Sequence, residues 1–182
     1  MVTIRRRDMP ALLAGLAAAG TIAARAATEP HQDEGLSFTA EAIHQEIAFA
    51  APRARVYATL TDAKQFDAVF RLSDAAKSMR LNATPTQIDP VPGGVFVLFG
   101  DYILGRTVEL VPDTRIVQAW REKTWDPGAF SIVTFALSDA PGGGTKLTFD
   151  HTGFPRGAGH HLTIGWYENY WDPMRKYLSD GG

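Results

Sequence analysis

Along residues 41–49 apolar and polar positions alternate, with Ile43, Gln45 and Ile47 falling to one side and His44, Glu46 and Ala48 to the other. That period of two predicts a first strand. Pro52 then opens a helix in which Val56 and Leu60 stand four apart. Thr61-Asp62 supplies capping chemistry for a second short helix, where Phe66 and Phe70 are again four apart. From residue 79 to 152 the period is that of strands, and turn chemistry punctuates it at Pro92-Gly93-Gly94, Gly100-Asp101, Pro112-Asp113, Asp126-Pro127-Gly128 and Pro141-Gly142-Gly143-Gly144. The expected strands are 79–88, 95–99, 102–111, 115–123, 131–137 and 145–152. With the first strand they make an antiparallel meander of about seven.

The last element, 159–178, is predicted to be a helix roughly 30 Å long. Leu162, Trp166, Tyr170, Met174 and Tyr177 form one stripe, which Tyr167, Trp171 and Leu178 widen; Glu168, Asn169, Asp172, Arg175 and Lys176 occupy the other face. Pro173 removes a backbone donor and crowds the preceding turn, so a kink is expected between 169 and 173. The fold class is α+β: a curved antiparallel sheet wrapped around a long C-terminal helix, with two short helices after the first strand. Sheet and helix are longer than the side chains between them can fill, and such an architecture commonly keeps a cavity.

Several local strings carry a resemblance. They are Ala51-Pro52 followed by Val56 and Leu60-Thr61-Asp62, Gly93-Gly94 with Phe96, Leu104-Gly105-Arg106 running to Glu109-Leu110-Val111-Pro112, and Ile116-Val117 before Trp120-Arg121. Further on come Ser131 with Val133-Thr134-Phe135, Gly144-Thr145-Lys146-Leu147-Thr148, His151-Thr152-Gly153, His161, Gly165-Trp166 and Tyr177-Leu178. In this order they resemble the START-like (SRPBCC) superfamily, and within it the branch related to the activator of the heat-shock-protein-90 ATPase. The resemblance covers residues 42–179 and implies a helix-grip domain that encloses a small apolar or aromatic ligand, as a carrier or sensor. It also implies two alternatives: a cavity-based enzyme (cyclase, dehydratase or hydrolase), because some members of the superfamily catalyse such steps, and a co-chaperone stimulating a chaperone ATPase. Pro173 departs from the smooth terminal helix of the family.

The first residues change the picture of where such a domain would work. Arg5-Arg6-Arg7, a modest apolar run from Ala11 to Ala19 and the small residues of Ala24-Arg25-Ala26-Ala27 read as an export signal over residues 1–27, of twin-arginine type. The run is shorter than the ~20 residues a membrane span needs, so no stable span is expected after cleavage, and the location expected is periplasmic or secreted. Residues 28–40 are polar and aperiodic and read as a flexible lead-in to a domain at 41–180. The whole chain has net charge −2, and removing residues 1–27 takes away four arginines and one aspartate, leaving a more acidic domain. That argues against nucleic-acid binding. The chain has no cysteine, which excludes disulfides, thiolate metal sites and a cysteine nucleophile. No cofactor is implied, and no protein partner can be named from the residues.

The most informative constellation is aromatic. Phe70, Phe96, Leu98, Trp120, Val133, Phe135, Phe149, His151, Trp166 and Tyr170 come from separate elements that this fold converges on one interior, and they form the expected ligand pocket. His151 follows Leu147 and Phe149 at period two, which makes it either the polar group of that pocket or a satisfied structural histidine. His151, His160 and His161 with Asp150 are zinc-ligand types, but adjacent residues on one element diverge, so no metal site is expected. A Ser131, His151 and Asp150 relay fails for the same reason, since neighbouring strand residues 150 and 151 face opposite sides. The glycine clusters lead into strands rather than helix N-termini and read as hairpin turns, not phosphate cradles. Glu109, inside an apolar strand, is expected to pair with Arg106 or Arg121 across strands.

Overall fold

The computed structural model describes residues 40–78 and 84–179. The expected export segment and its lead-in, through residue 39, lie outside them. In β1 (Ala40–Phe49) the alternation of the sequence becomes alternation of burial: Ile43, Gln45, Ile47 and Phe49 point inward while His44, Glu46 and Ala48 are exposed. Two short helices follow. α1 (Arg53–Thr61) buries Val56, Thr59 and Leu60, and α2 (Ala63–Phe70) is capped by the Asp62 carboxylate, which accepts from the backbone N–H groups of Lys64 and Gln65 at 2.9 Å. A third helix, α3 (Asp74–Ser78), was not anticipated by the hydrophobic pattern, because none of its five residues is buried.

The remaining strands are β2 (Gln87–Ile88), β3 (Val95–Leu98), β4 (Ile103–Val111), β5 (Arg115–Glu122), β6 (Ser131–Ala140) and β7 (Gly144–Pro155). All neighbours pair antiparallel in one seven-stranded sheet of order β1-β7-β6-β5-β4-β3-β2, so the first strand closes onto the last. The strand expected over 79–88 is reduced to Gln87–Ile88 and an isolated bridge from Thr84 to Gly100, with 79–83 outside the described residues. Pro85 and Pro90 flank it and lack the backbone donors that a longer ladder would use. At the other end β6 and β7 run past their expected limits to a tight connection in which Gly142 and Gly143 take φ of 76° and 79°, a region that glycine enters without strain. Gly105 in β4 lies directly opposite Phe96, and a Cβ there would run into the Phe96 ring and the Ala119 carbonyl.

The terminal element crosses the concave face in three parts: α4 (Gly159–Trp166), a π-helical turn (Tyr167–Trp171) and α5 (Asp172–Ser179). The interruption expected around Pro173 takes the form of this wider turn, in which the Asp172 N–H reaches back five residues to the Tyr167 carbonyl. The inserted residue rotates the buried stripe, so that Tyr170, Trp171, Pro173 and Met174 all face in, whereas Tyr167, expected to widen the stripe, is exposed. Glu168 and Asp172 face water. No helix among the described residues is long and apolar enough to cross a membrane.

Candidate functional site

Between the terminal element and the β4–β5 part of the sheet the interior is not filled. A cavity of about 370 Å³, partly open to solvent, is bounded by α3, by Tyr102 and Ile103 of β4 and its approach, by Trp120 and Glu122 of β5, and by Leu162, Gly165, Trp166 and Tyr170 of the terminal element. This volume falls within the range of small-ligand sites. Asn169 holds α3 over it: its side-chain oxygen accepts from the Ala75 N–H at 3.0 Å, and its amide donates to the Gly165 carbonyl at 3.1 Å. Phe99 also lines the cavity with φ of 51°, a left-handed conformation uncommon for a bulky residue. It is held there by rings of Phe66, Phe70 and Tyr170 at 5.1 to 5.6 Å.

Of the ten residues expected around a pocket, Trp120, Trp166 and Tyr170 border this cavity. Phe96, Leu98, Val133, Phe135 and Phe149 are instead buried in the core, and Phe70 is half-buried against Phe99 at the end of α2. Their part of the concave face is filled by interlocking rings: Phe149 lies 4.3 Å from Trp166 and 5.1 Å from Trp171, and the two indoles stack at 5.6 Å with 17° between their planes.

His151 shows why a polar group can sit in that packing. Its side chain is fully buried, and the Trp166 Nε1–H donates to its Nδ1 at 3.1 Å. That bond assigns the remaining proton to Nε2, which donates to Ser131 Oγ at 2.7 Å; the serine hydroxyl in turn donates to the Trp120 carbonyl at 2.9 Å. Every polar atom of the imidazole is used, and burial pushes its pKa down from 6.5 to about 3. His151 is therefore a neutral strut between the sheet and the terminal helix, set behind the cavity wall rather than in it. Although Ser131 and His151 meet, the serine is buried with its proton committed to a carbonyl, and Asp150 points the other way to His44 at 2.6 Å.

At the polar end of the cavity Glu122 and Tyr102, which the sequence pattern did not single out, join His161, Trp120 and Tyr170. Glu122 is 6% exposed, and its carboxylate accepts from or pairs with His161 Nε2 at 2.8 Å. Tyr102 stands beside it, its pKa raised first by burial and then by the Glu122 charge. Tyr170 Oη and Trp120 Nε1 are buried without a hydrogen-bond partner. Burial pushes the Tyr170 phenol far up, the Glu122 charge adds to the rise, and the nearby Trp120 N–H opposes it. Glu122 was legible in principle: two residues beyond Trp120 on β5, it must share Trp120's concave face.

One expectation is corrected. Glu109 pairs with Arg115 at 3.5 Å on the surface, not with Arg106 or Arg121, because a bulge between Thr107 and Glu109 shifts the register. Arg106 goes to the Gly93 carbonyl and Arg121 to the Trp125 carbonyl. The three clustered histidines separate, with His151 in the core, His160 exposed and His161 on Glu122. Among the described residues no three His, Asp or Glu side chains converge as metal ligands.

Comparison with known proteins places these features in a family. The model of the family described as Activator of Hsp90 ATPase homolog 1-like protein matches residues 50–179. The chain is 25% identical over 122 residues to the human Activator of 90 kDa heat shock protein ATPase homolog 1, an alignment that takes in 67% of this chain and 35% of the relative. It thus spans about a third of the length of that relative. The crystal structure of PFC0360w, an HSP90 activator from Plasmodium falciparum, superposes with a TM-score of 0.64 at 24% identity, covering 78% of this chain and 96% of that one. CalU16 from Micromonospora echinospora superposes with a TM-score of 0.60 at 22% identity over 77% of each chain. Both likenesses establish the helix-grip fold.

Proposed function

Because the chain belongs to the Activator of Hsp90 ATPase homolog 1-like family and carries an unfilled aromatic cavity in its helix-grip domain, we propose that it is a carrier or sensor that encloses a small, largely apolar ligand. The observation that supports this most is the pairing of an apolar wall with an unsatisfied polar end. Trp120, Trp166, Leu162, Ile103 and Phe99 surround the space, while Tyr170 Oη and Trp120 Nε1 sit beside it without partners. Buried polar atoms are normally hydrogen-bonded, and orphaned ones mark the place where a bound molecule would complete the set. Native mass spectrometry of the protein purified from its own source is the test. A co-purifying small molecule released on denaturation is expected; repeated recovery of bare chain, together with no binding of apolar probes, would remove the proposal.

A second reading, stimulation of a chaperone ATPase, is favoured by the likeness to the human and Plasmodium activators. Its test is the steady-state ATPase rate of a 90 kDa heat-shock chaperone with and without this chain. We also infer, from the arginine triplet and the small residues before Thr28, that the domain is exported and works outside the cytoplasm. Intact-mass measurement on cell fractions checks this: a chain lacking about the first 27 residues is expected outside, and full-length chain confined to the cytoplasm would count against it and in favour of the chaperone reading.

A further inference from the structure

Among the described residues the permanently charged groups around the cavity are of one sign. Asp74, Glu122 and Glu168 line it beside His161, and no described lysine or arginine does. Asp74 is tied to Lys77 on the surface of α3, and Glu168 is exposed at the rim. Glu122 is different in kind, because it is a nine-tenths buried carboxylate whose ion-pair partner is His161, and a histidine is not a permanent cation as lysine or arginine would be. A buried carboxylate without a fixed cation is costly to maintain.

The surroundings fit the missing charge. Tyr170 Oη is buried beside the Trp120 indole with no hydrogen-bond partner, and it lines the same cavity as the Glu122 carboxylate, so two acceptors face one space. The walls next to them are the aromatic residues Trp120, Trp166, Tyr102 and Phe99. Tryptophan, tyrosine and phenylalanine faces attract a cation through the ring quadrupole and repel an anion.

The geometry points to a ligand that carries a protonated amine on an aromatic or polycyclic apolar body, with the ammonium seated between the Glu122 carboxylate and Tyr170 Oη and the body against Trp120 and Trp166. This rests on the carrier reading and narrows it: the cavity selects against fatty acids and other carboxylates, which would meet Glu122 with like charge.

The test uses three probes that share a naphthyl body and differ only in the head: naphthylmethylamine, naphthylmethanol and naphthoate. Each is titrated into the full chain in mildly alkaline buffer, where the amine is still protonated. The amine is expected to bind at least about tenfold tighter than the alcohol, and the alcohol tighter than the carboxylate. In Glu122→Gln the preference for the amine over the alcohol is expected to collapse to within about twofold, while affinity for the alcohol, which reports an intact cavity, stays within the same factor. Wild-type protein alone decides the matter if that variant does not fold. Alcohol or carboxylate binding as tightly as the amine overturns the inference and leaves the carrier reading standing. Binding of none of the three removes the carrier reading, and the inference with it.

Discussion

Acid should destabilise this fold through one buried side chain, His151. In the native state its Nδ1 accepts from Trp166 and its Nε2–H is given to Ser131, so a second proton on Nδ1 would set two donors against each other inside a ring cluster. Burial accordingly lowers its pKa from 6.5 to about 3. The unfolded chain binds that proton at its ordinary value, so between these limits the unfolded state holds more protons than the native state, and stability rises with pH. The contribution is fully present above 6.5 and is lost progressively as pH falls toward about 3. At about pH 5 the loss amounts to roughly 2 kcal/mol, a large share of the ~5 to 15 kcal/mol that holds a domain of ordinary stability. The assay is urea unfolding of wild type and His151→Gln near neutral pH and about pH 5. Glutamine accepts from Trp166 and donates to Ser131 but does not titrate, so the variant should be weaker at neutral pH and lose about 2 kcal/mol less on acidification. Equal losses in both proteins, or an imidazole resonance of His151 that titrates above pH 5, would refute the reasoning.

Trp166→Ala should cost roughly 3 to 5 kcal/mol in chemical denaturation even though the indole borders the cavity, because the ring also stacks on Trp171, packs against the tilted ring of Phe149 and holds His151 through its Nε1–H. A loss under about 1 kcal/mol would mean that the ring cluster is not packed as described. Tyr170→Phe removes a buried hydroxyl that has no partner in the empty protein, so it is expected to be neutral or stabilising by up to about 1 kcal/mol in thermal melts while weakening naphthylmethylamine binding. A clear destabilisation would show that the hydroxyl is already satisfied.

The sheet was readable because period-two patterning survives wherever one face is buried. β1, β6 and β7 alternate in burial largely as their residues alternate in polarity, whereas β5 buries Ile116, Val117 and Gln118 in succession and the polar Glu122. What limited the reading was volume and register, which no single strand encodes. Phe135 and Phe149 share a concave face with Trp120, and only their interlocking with Trp171 of the terminal element decides which of them fill space and which border an empty part of it. The bulge that sends Glu109 to Arg115 leaves no mark on hydropathy, and neither does α3, an exposed helix held by the Asn169 side chain. Pro173 announced an irregular helix, but not that the answer would be a π turn bringing Tyr170 and Trp171 inward together.

The most direct test of a ligand-enclosing cavity uses Gly165. It lines the cavity in α4, and a Cβ built there meets nothing nearer than the Asn169 amide at 4.0 Å, so a side chain can start from this position without a clash at Cβ. Gly165→Leu should fold at least as stably as wild type, since leucine favours a helix over glycine by about 0.5 to 1 kcal/mol, while occupying the ligand's volume. Titration with the neutral dye Nile red is predicted to give one blue-shifted binding event per wild-type chain and at least about a tenfold loss of affinity in Gly165→Leu, with a melting temperature no lower than that of wild type. Equal dye binding by the two proteins would contradict the account, because the cavity would then not be where apolar molecules bind.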